Sequence, residues 1–242
     1  MRSYRLGGFG GTESLAMREE ARTEPKPHEI VVRVRAASLN RRDTMILGGT
    51  YPLPPRQGIV PLSDGAGDVV AIGDAVTRFA VGDRVTGSYF ARWIDGRINA
   101  GLIDQLGCTL DGMLTEFAVL DEQWAARLPD HLSWHEAATL TCAGVTAWNA
   151  VTRTRIPKPG QWVLTIGSGG VSLFALQFAK LLGCRVVASH RARRRPTGCG
   201  RWAPTSLSPA PTYRNGAAGR ASRQAESTSS SKPAARPPSR SR

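Results

Sequence analysis

The run Gln161-Trp162-Val163-Leu164-Thr165-Ile166 passes directly into Gly167-Ser168-Gly169-Gly170-Val171-Ser172. Residues 173–182 follow with apolar positions at helical spacing, and after Gly183 comes the run Arg185-Val186-Val187-Ala188. A continuous apolar run ending in a glycine turn predicts a buried parallel strand, and Gly183 can end the helix in the left-handed backbone that glycine adopts without strain. Strand, helix and strand within about 30 residues make a β-α-β unit. Its right-handed crossover commits this part of the chain to an α/β layer.

The turn carries the chemistry. Glycines let the backbone bend tightly and approach a pyrophosphate, while the unpaired N–H groups and positive dipole end of the next helix attract the anion. Gly167, Ser168, Gly169, Gly170, Val171 and Ser172 are therefore the candidate dinucleotide-binding residues. The pattern is G-x-G-G-x-S, with Ser172 in place of the third glycine, and its weight comes from its place between a strand and a helix. An NAD site usually offers an acidic residue about 20 positions on, to bond the ribose hydroxyls. Here Ser189, His190 and Arg191 occupy that region, which suits a 2′-phosphate. NADP is the expected cofactor, with NAD the alternative and Ser189 a candidate contact.

The preceding chain reads differently. Ile30-Val31-Val32-Arg33-Val34-Arg35-Ala36-Ala37, Asp68-Val69-Val70-Ala71-Ile72-Gly73, residues 79–85 and residues 112–120 read as short strands separated by Gly/Asp turns, the spacing of a β-barrel. Residues 1–125 are expected to be all-β. After Leu128-Pro129, Ser133-Trp134-His135-Glu136 sets a Ser N-cap three residues before a Glu, so helices are expected over about 134–140 and 144–154.

The net charge of +13 would point to an acidic partner if it were spread over the surface. It is not: residues 191–242 hold 12 Lys and Arg against 1 acidic residue, and residues 1–190 hold 20 against 18. The tail is rich in Arg, Ser, Pro and Ala and too poor in large apolar residues to offset its ordering entropy, so disorder is expected from about 191 onward. No run approaches a membrane span and the first 20 residues lack the apolar core of a secretory signal, so a soluble, cytoplasmic chain is expected, without a membrane or specific nucleic-acid partner. Cys108, Cys142, Cys184 and Cys199 are scattered and read as reduced thiols. His28, His131, His135 and His190 form no ligand spacing.

Five segments together resemble the medium-chain dehydrogenase/reductase superfamily, of the quinone-oxidoreductase or zinc-type alcohol-dehydrogenase-like kind. They are Ala36-Ala37-Ser38-Leu39-Asn40-Arg41-Arg42-Asp43, residues 61–70 (PLSDGAGDVV), residues 79–85 (FAVGDRV), residues 137–148 (AATLTCAGVTAW) and the glycine turn. The resemblance covers residues 1–190. It implies a GroES-like β-barrel at 1–127 and the start of an NAD(P)-binding Rossmann domain at 128–190, to which the composition adds a disordered basic tail at 191–242. The fold class is thus β plus α/β, with the Rossmann parallel sheet incomplete.

Matching segments to the family's zinc ligands puts those positions at Asn40, Ser63 and Cys142, of which only Cys142 is a ligand type. Only Cys108 lies where the family's structural zinc cysteines cluster. A zinc-free member is expected, transferring hydride between NAD(P)H and a small-molecule quinone or enone-type carbonyl. Asn40 would touch the nicotinamide or the substrate carbonyl, Thr146 would line the cofactor cleft, and Tyr51 could donate to substrate or pack its loop. Asp43 and Asp64 are expected to stabilise the loop. Family members are often homodimers.

A family Rossmann domain has about six strands, so here the edge at Val186-Val187 and the apolar face of helix 173–182 are expected to be exposed, with activity impaired. With G/C-ending codons, the shifted frame of Arg201-Trp202-Ala203-Pro204-Thr205 spells Leu-Gly-Ala-Asp, a tetrapeptide the resemblance places after the second Rossmann strand. A frameshift between about 189 and 195 is the expectation. The alternative function is a non-enzymatic remnant whose basic tail binds polyanions.

Overall fold

The structure is a computed structural model that describes residues 1–190 and, as backbone, residues 206–209. It opens with an antiparallel hairpin of β1 (Arg2–Leu6) and β2 (Leu15–Glu19), which the sequence reading did not foresee. Next come β3 (Glu29–Ser38), α1 (Arg41–Leu47), β4 (Asp64–Ile72), β5 (Arg84–Gly87), β6 (Phe117–Asp121) and β7 (Ala125–Arg127). Strands β6, β3, β4, β5 and β7 lie in that order in one curled antiparallel sheet.

The sheet curls where β3 and β4 slip register, between Val31 and Val32 and between Val34 and Ala36. Extra residues at such slips raise the local twist. Gly67 sits at the second slip, where a Cβ would run into the Arg33 carbonyl, so only glycine lets the two backbones close up. Inside the curl, Ile30, Val32, Val69, Phe79, Val85, Leu106, Leu120 and Ala125 form the main core. Each of the larger side chains contributes about 1.5–3 kcal/mol by leaving water. A second cluster, Leu6, Ile46, Ile59 and Cys108, seats the hairpin and α1 on the barrel.

Three expectations need correcting here. The all-β reading of 1–125 missed α1, whose residues Arg41 to Leu47 form under the Asn40 cap and pack Ile46 inward. The strand expected over 79–85 begins only at Arg84, because Gly82 takes φ +95° and the Asp83 carboxylate accepts the Ala80 N–H to close a turn. The strand expected over 112–120 begins at Phe117; Gly112 and Met113 instead donate to the Val60 and Leu62 carbonyls.

Beyond the barrel lie α2 (Trp134–Ala137), a π-helical turn over Leu140–Gly144, and α3 (Val145–Thr152). The Ser133 cap forms reciprocally: Glu136 donates its N–H to Ser133 Oγ at 3.3 Å and accepts the Ser133 N–H at 2.9 Å. The expected helix over 134–140 is thus cut short, and the chain widens into the π turn before α3 takes over. Then come β8 (Trp162–Ile166), α4 (Gly170–Leu181), β9 (Arg185–His190) and β10 (Ser206–Pro209). Strands β10, β9 and β8 form a parallel sheet in that order.

Strand β10 corrects two further expectations. It pairs Ser206 with Val187 and Leu207 with Ala188, so the Val186-Val187 edge is covered, and residues 206–209 of the tail are a strand. The remainder of the expected disorder and the suspected frame break lie outside the described residues, except for residues 189 and 190. The apolar face of α4 is not bare either: Leu176 and Ala179 pack on Val186 of β9 and on Cys184 just before it, and Phe178 meets Trp148 of α3 edge-on at 5.3 Å. What stands exposed is the other face of β8, with Trp162 at 56%, Leu164 at 62% and Ile166 at 74%. Among the described residues no helix is long and apolar enough to cross a membrane.

Candidate functional site

Two structural units meet at the π turn. On the barrel side, Ser63 and Asp64 open β4 fully buried. The Asp64 carboxylate accepts the Ser63 hydroxyl at 2.8 Å, the Thr141 hydroxyl at 3.0 Å and the Cys142 N–H at 3.2 Å. On the other side of the same turn, Ala143 lies 3.3 Å from where a Cβ on Gly170 would stand, at the first residue of α4. Consecutive residues Cys142 and Ala143 therefore touch the barrel and the glycine turn respectively. Such π turns interrupt the regular helical hydrogen bonding and are frequent at functional sites.

The nearby titratable groups are held uncharged or tied down. Burial first, and then the Asp64 carboxylate, push the Cys142 thiol from 9.0 to about 11. Asp43, whose carboxylate accepts the Asn40 N–H at 2.7 Å, is raised by burial, with that bond and Arg42 opposing the shift. Asn40 itself caps α1, and its side-chain Nδ2 is a buried donor with no partner among the described residues. A buried amide of that kind is served by an incoming acceptor.

Behind α1 the structure adds residues that the sequence did not suggest. Arg42 is buried and donates to the Leu106 carbonyl at 2.9 Å and to Gln105 Oε1 at 3.1 Å. Its guanidinium lies over the rings of Tyr89 and Tyr51, 4.6 and 5.3 Å from their centroids. The Tyr51 hydroxyl reaches Tyr89 at 2.8 Å and Gln105 at 2.9 Å. Burial pushes the Tyr89 phenol far above its usual range. No motif marks Tyr89 or Gln105, which reach this place only through the curl of the sheet.

The glycine turn is open to solvent from Gly167 to Val171. Gly167 takes φ +89°, a conformation that glycine alone adopts cheaply, and Gly169 caps α4 with nothing within 4 Å of its missing Cβ. The Ser172 hydroxyl is turned back to the Ile166 carbonyl at 2.8 Å. Ser189 is beside the turn, its carbonyl accepting the Gly167 N–H at 2.7 Å. Thr146 is exposed in the first turn of α3, which packs along α4.

Residues 26–130 match the alcohol dehydrogenase GroES-like domain. The chain is 43% identical over 166 residues to a zinc-type alcohol dehydrogenase-like protein of Schizosaccharomyces pombe, covering 67% of this chain and 48% of that one. It is 35% identical over 185 residues to a quinone oxidoreductase of Pseudomonas aeruginosa, covering 76% and 51%. The solved quinone oxidoreductase of Escherichia coli, in complex with NADPH, superposes with a TM-score of 0.70 at 25% identity, covering 86% of this chain and 58% of that one. The chain belongs to the medium-chain dehydrogenase/reductase superfamily. It spans about half the length of the curated relatives it matches.

Zinc members of this superfamily hold a catalytic metal, and the donor set here does not fit one. Asn40 offers an amide and the Ser63 hydroxyl is already given to Asp64, which leaves Cys142 as the single zinc-type ligand of the three. Among the described residues no three His, Cys, Asp or Glu side chains converge. A dinucleotide fits better: an open turn, the first-turn amides of a 12-residue helix with no side-chain cap, and a glycine with no Cβ to obstruct approach are what a pyrophosphate needs.

Proposed function

We propose that the chain is the barrel and nucleotide-binding start of an NAD(P)H-dependent, zinc-independent oxidoreductase acting on a quinone or enone-type carbonyl. Residues 1–127 are read as the barrel domain and 128–190 as the opening of the nucleotide domain. The observation that carries this reading is the π turn, which brings Asp64 of the barrel and Gly170 of the glycine turn against adjacent residues. A cofactor whose diphosphate rests on Gly167 to Ser172 would then extend toward Asn40, whose buried side-chain amide has no partner among the described residues. Ser189 and Thr146 border that path.

A bound nicotinamide would supply the hydride; the chain's own residues would supply position. The α4 amides would bind the diphosphate, Asn40 Nδ2 would orient a carbonyl, and the close packing around Cys142 and Asp43 would keep water from the reacting face. NADP is preferred in this reading because Ser189, His190 and Arg191, and no acidic residue, stand about 20 positions after the turn. The known complex of the Escherichia coli quinone oxidoreductase with NADPH supports that choice.

Titration of the purified chain with NADPH, followed by nicotinamide fluorescence, tests this reading. Micromolar binding, weakened at least tenfold by Gly169→Asp and accompanied by quinone-dependent NADPH oxidation, is expected. No binding below millimolar, or activity abolished by a zinc chelator, overturns it. The +11 charge of residues 191–242 favours a second reading, binding of polyanions by the tail. Salt-sensitive polyanion binding that disappears on deletion of 191–242, without any NADPH binding, would favour that one.

A further inference from the structure

The tyrosine pair beside Arg42 has an arrangement that loop packing alone does not require. Arg42 and Gln105 are sealed in, at 7% and 6% exposure, while Tyr51 and Tyr89 are only partly buried. Both hydroxyls meet the sealed Gln105, while the two tyrosines as whole residues reach partway to the surface. Gln105 Oε1 has three donors around it: Arg42 Nη2 at 3.1 Å, the Tyr51 hydroxyl at 2.9 Å and the Tyr89 hydroxyl at 3.1 Å. A carbonyl oxygen has two lone pairs.

Arg42 holds its place through the Leu106 carbonyl as well, so the two phenols compete for what remains of Gln105. The loser can donate only to the other phenol, 2.8 Å away, whose oxygen is a weaker acceptor than a carbonyl. One O–H is therefore held by a poor partner and is free to turn to a better one. The Arg42 cation over both rings strengthens them as donors. Burial keeps Tyr89 in its protonated, donating form. Arg42 and Cys142 are both electrostatic neighbours of the Tyr89 phenol, and Cys142 is the residue that touches Asp64 one position before the glycine-turn contact. Both rings lie against Arg42, the second residue of the helix that Asn40 caps.

We propose that Tyr89, paired with Tyr51, is a donor site for the carbonyl oxygen of a neutral quinone or ketone, with Arg42 and Gln105 as positioning residues. The substrate class rests on the hydride-transfer reading above; the donor site does not depend on nicotinamide binding.

Tetramethyl-1,4-benzoquinone, which has no open ring position for thiols to attack, is the probe. Its binding to the full chain is measured by titration, and the bound C=O stretch by infrared difference spectroscopy. The expected result is saturable binding with the stretch moved below its value in an aprotic solvent. In Tyr89→Phe, which keeps the ring over Arg42, the expected result is about tenfold weaker binding and loss of that shift. A bound quinone with an unshifted stretch in the wild-type chain overturns the proposal, as does a wild-type chain that binds no quinone. So does a folded Tyr89→Phe with unchanged affinity and stretch. Because the wild-type stretch is read directly, the test stands even if the variant fails to fold. Quinone binding with the shift but without NADPH binding sustains Tyr89 and overturns the hydride-transfer reading; NADPH binding without quinone does the reverse.

Discussion

The Asp64 carboxylate accepts the Cys142 N–H at 3.2 Å across 78 residues of chain, joining the start of β4 to the π turn. Asp64 is fully buried and serves three donors, so its removal leaves all three unsatisfied in a dry place. Asp64→Ala is expected to cost about 3 kcal/mol in denaturant unfolding. Asp64→Asn should cost about half that, since the Ser63 and Thr141 hydroxyls can reverse their bonds while the Cys142 N–H still finds the amide oxygen. Equal losses for the two would show that the bonds do not carry the stability.

Cys142 makes a pH-dependent contribution whose sign follows from its raised value. The folded chain favours the thiol more than the unfolded chain does, so this stability is fully present below about pH 9 and is lost as pH rises through about 11. Comparing unfolding midpoints of wild type and Cys142→Ala between pH 8 and 11 should show a difference that shrinks as pH rises. Alkylation by iodoacetamide at pH 8 should be at least tenfold slower at Cys142 than at a free cysteine.

Gly112 lies against the backbone of Pro61 and Leu62, and a Cβ there would run into the Leu62 carbonyl. Leu62 is already in the left-handed region at φ +69°, so it has little room to retreat. Gly112→Ala is expected to cost about 3 kcal/mol in thermal or chemical unfolding. Gly58→Ala is a control for left-handed strain alone: φ there is +68° with nothing within 4 Å, and the cost should stay near 1 kcal/mol.

Arg84 fastens the segment between barrel and helices. Its guanidinium donates to the carbonyls of Asp130 at 2.7 Å and Leu132 at 2.5 Å and lies over the Trp134 ring at 4.2 Å. A lysine can reproduce neither the fork nor the stacking. Arg84→Lys should lose about 2 kcal/mol and speed proteolytic cleavage within 128–134, which mass spectrometry of the fragments would show.

The outward face of β8 gives a prediction of the opposite sense. Leu164 is 62% exposed between Trp162 and Ile166, so Leu164→Lys should change unfolding free energy by no more than about 0.5 kcal/mol while raising solubility. A loss of several kcal/mol would mean that this face is covered.

Legibility followed the range of the interaction. The Ser133–Glu136 cap, the glycine turn and the strands flanking α4 depend on neighbours a few residues apart, and their residue types announce them. The hairpin β1–β2 and helix α1 were not legible, since their apolar residues find a buried face only against Ile59 and Cys108, far along the chain. Strand β10 escaped notice because four residues of Ser, Leu, Ser and Pro are unremarkable until β9 offers them an open edge.

The candidate site divides in the same way. Cys142 and the turn from Gly167 to Ser172 stand in local patterns, and the amino-acid order alone determined that a helical segment and a glycine turn would form, while the helix that Asn40 caps was not read. That Cys142 meets Asp64, that Ala143 meets Gly170, and that Arg42 lies beneath Tyr51 and Tyr89 with Gln105 was decided by the curl of the sheet and by the π turn. Local pattern sets backbone conformation through nearest-neighbour sterics and hydrogen bonding, but which distant side chains share a desolvated space depends on how the layers close over the core.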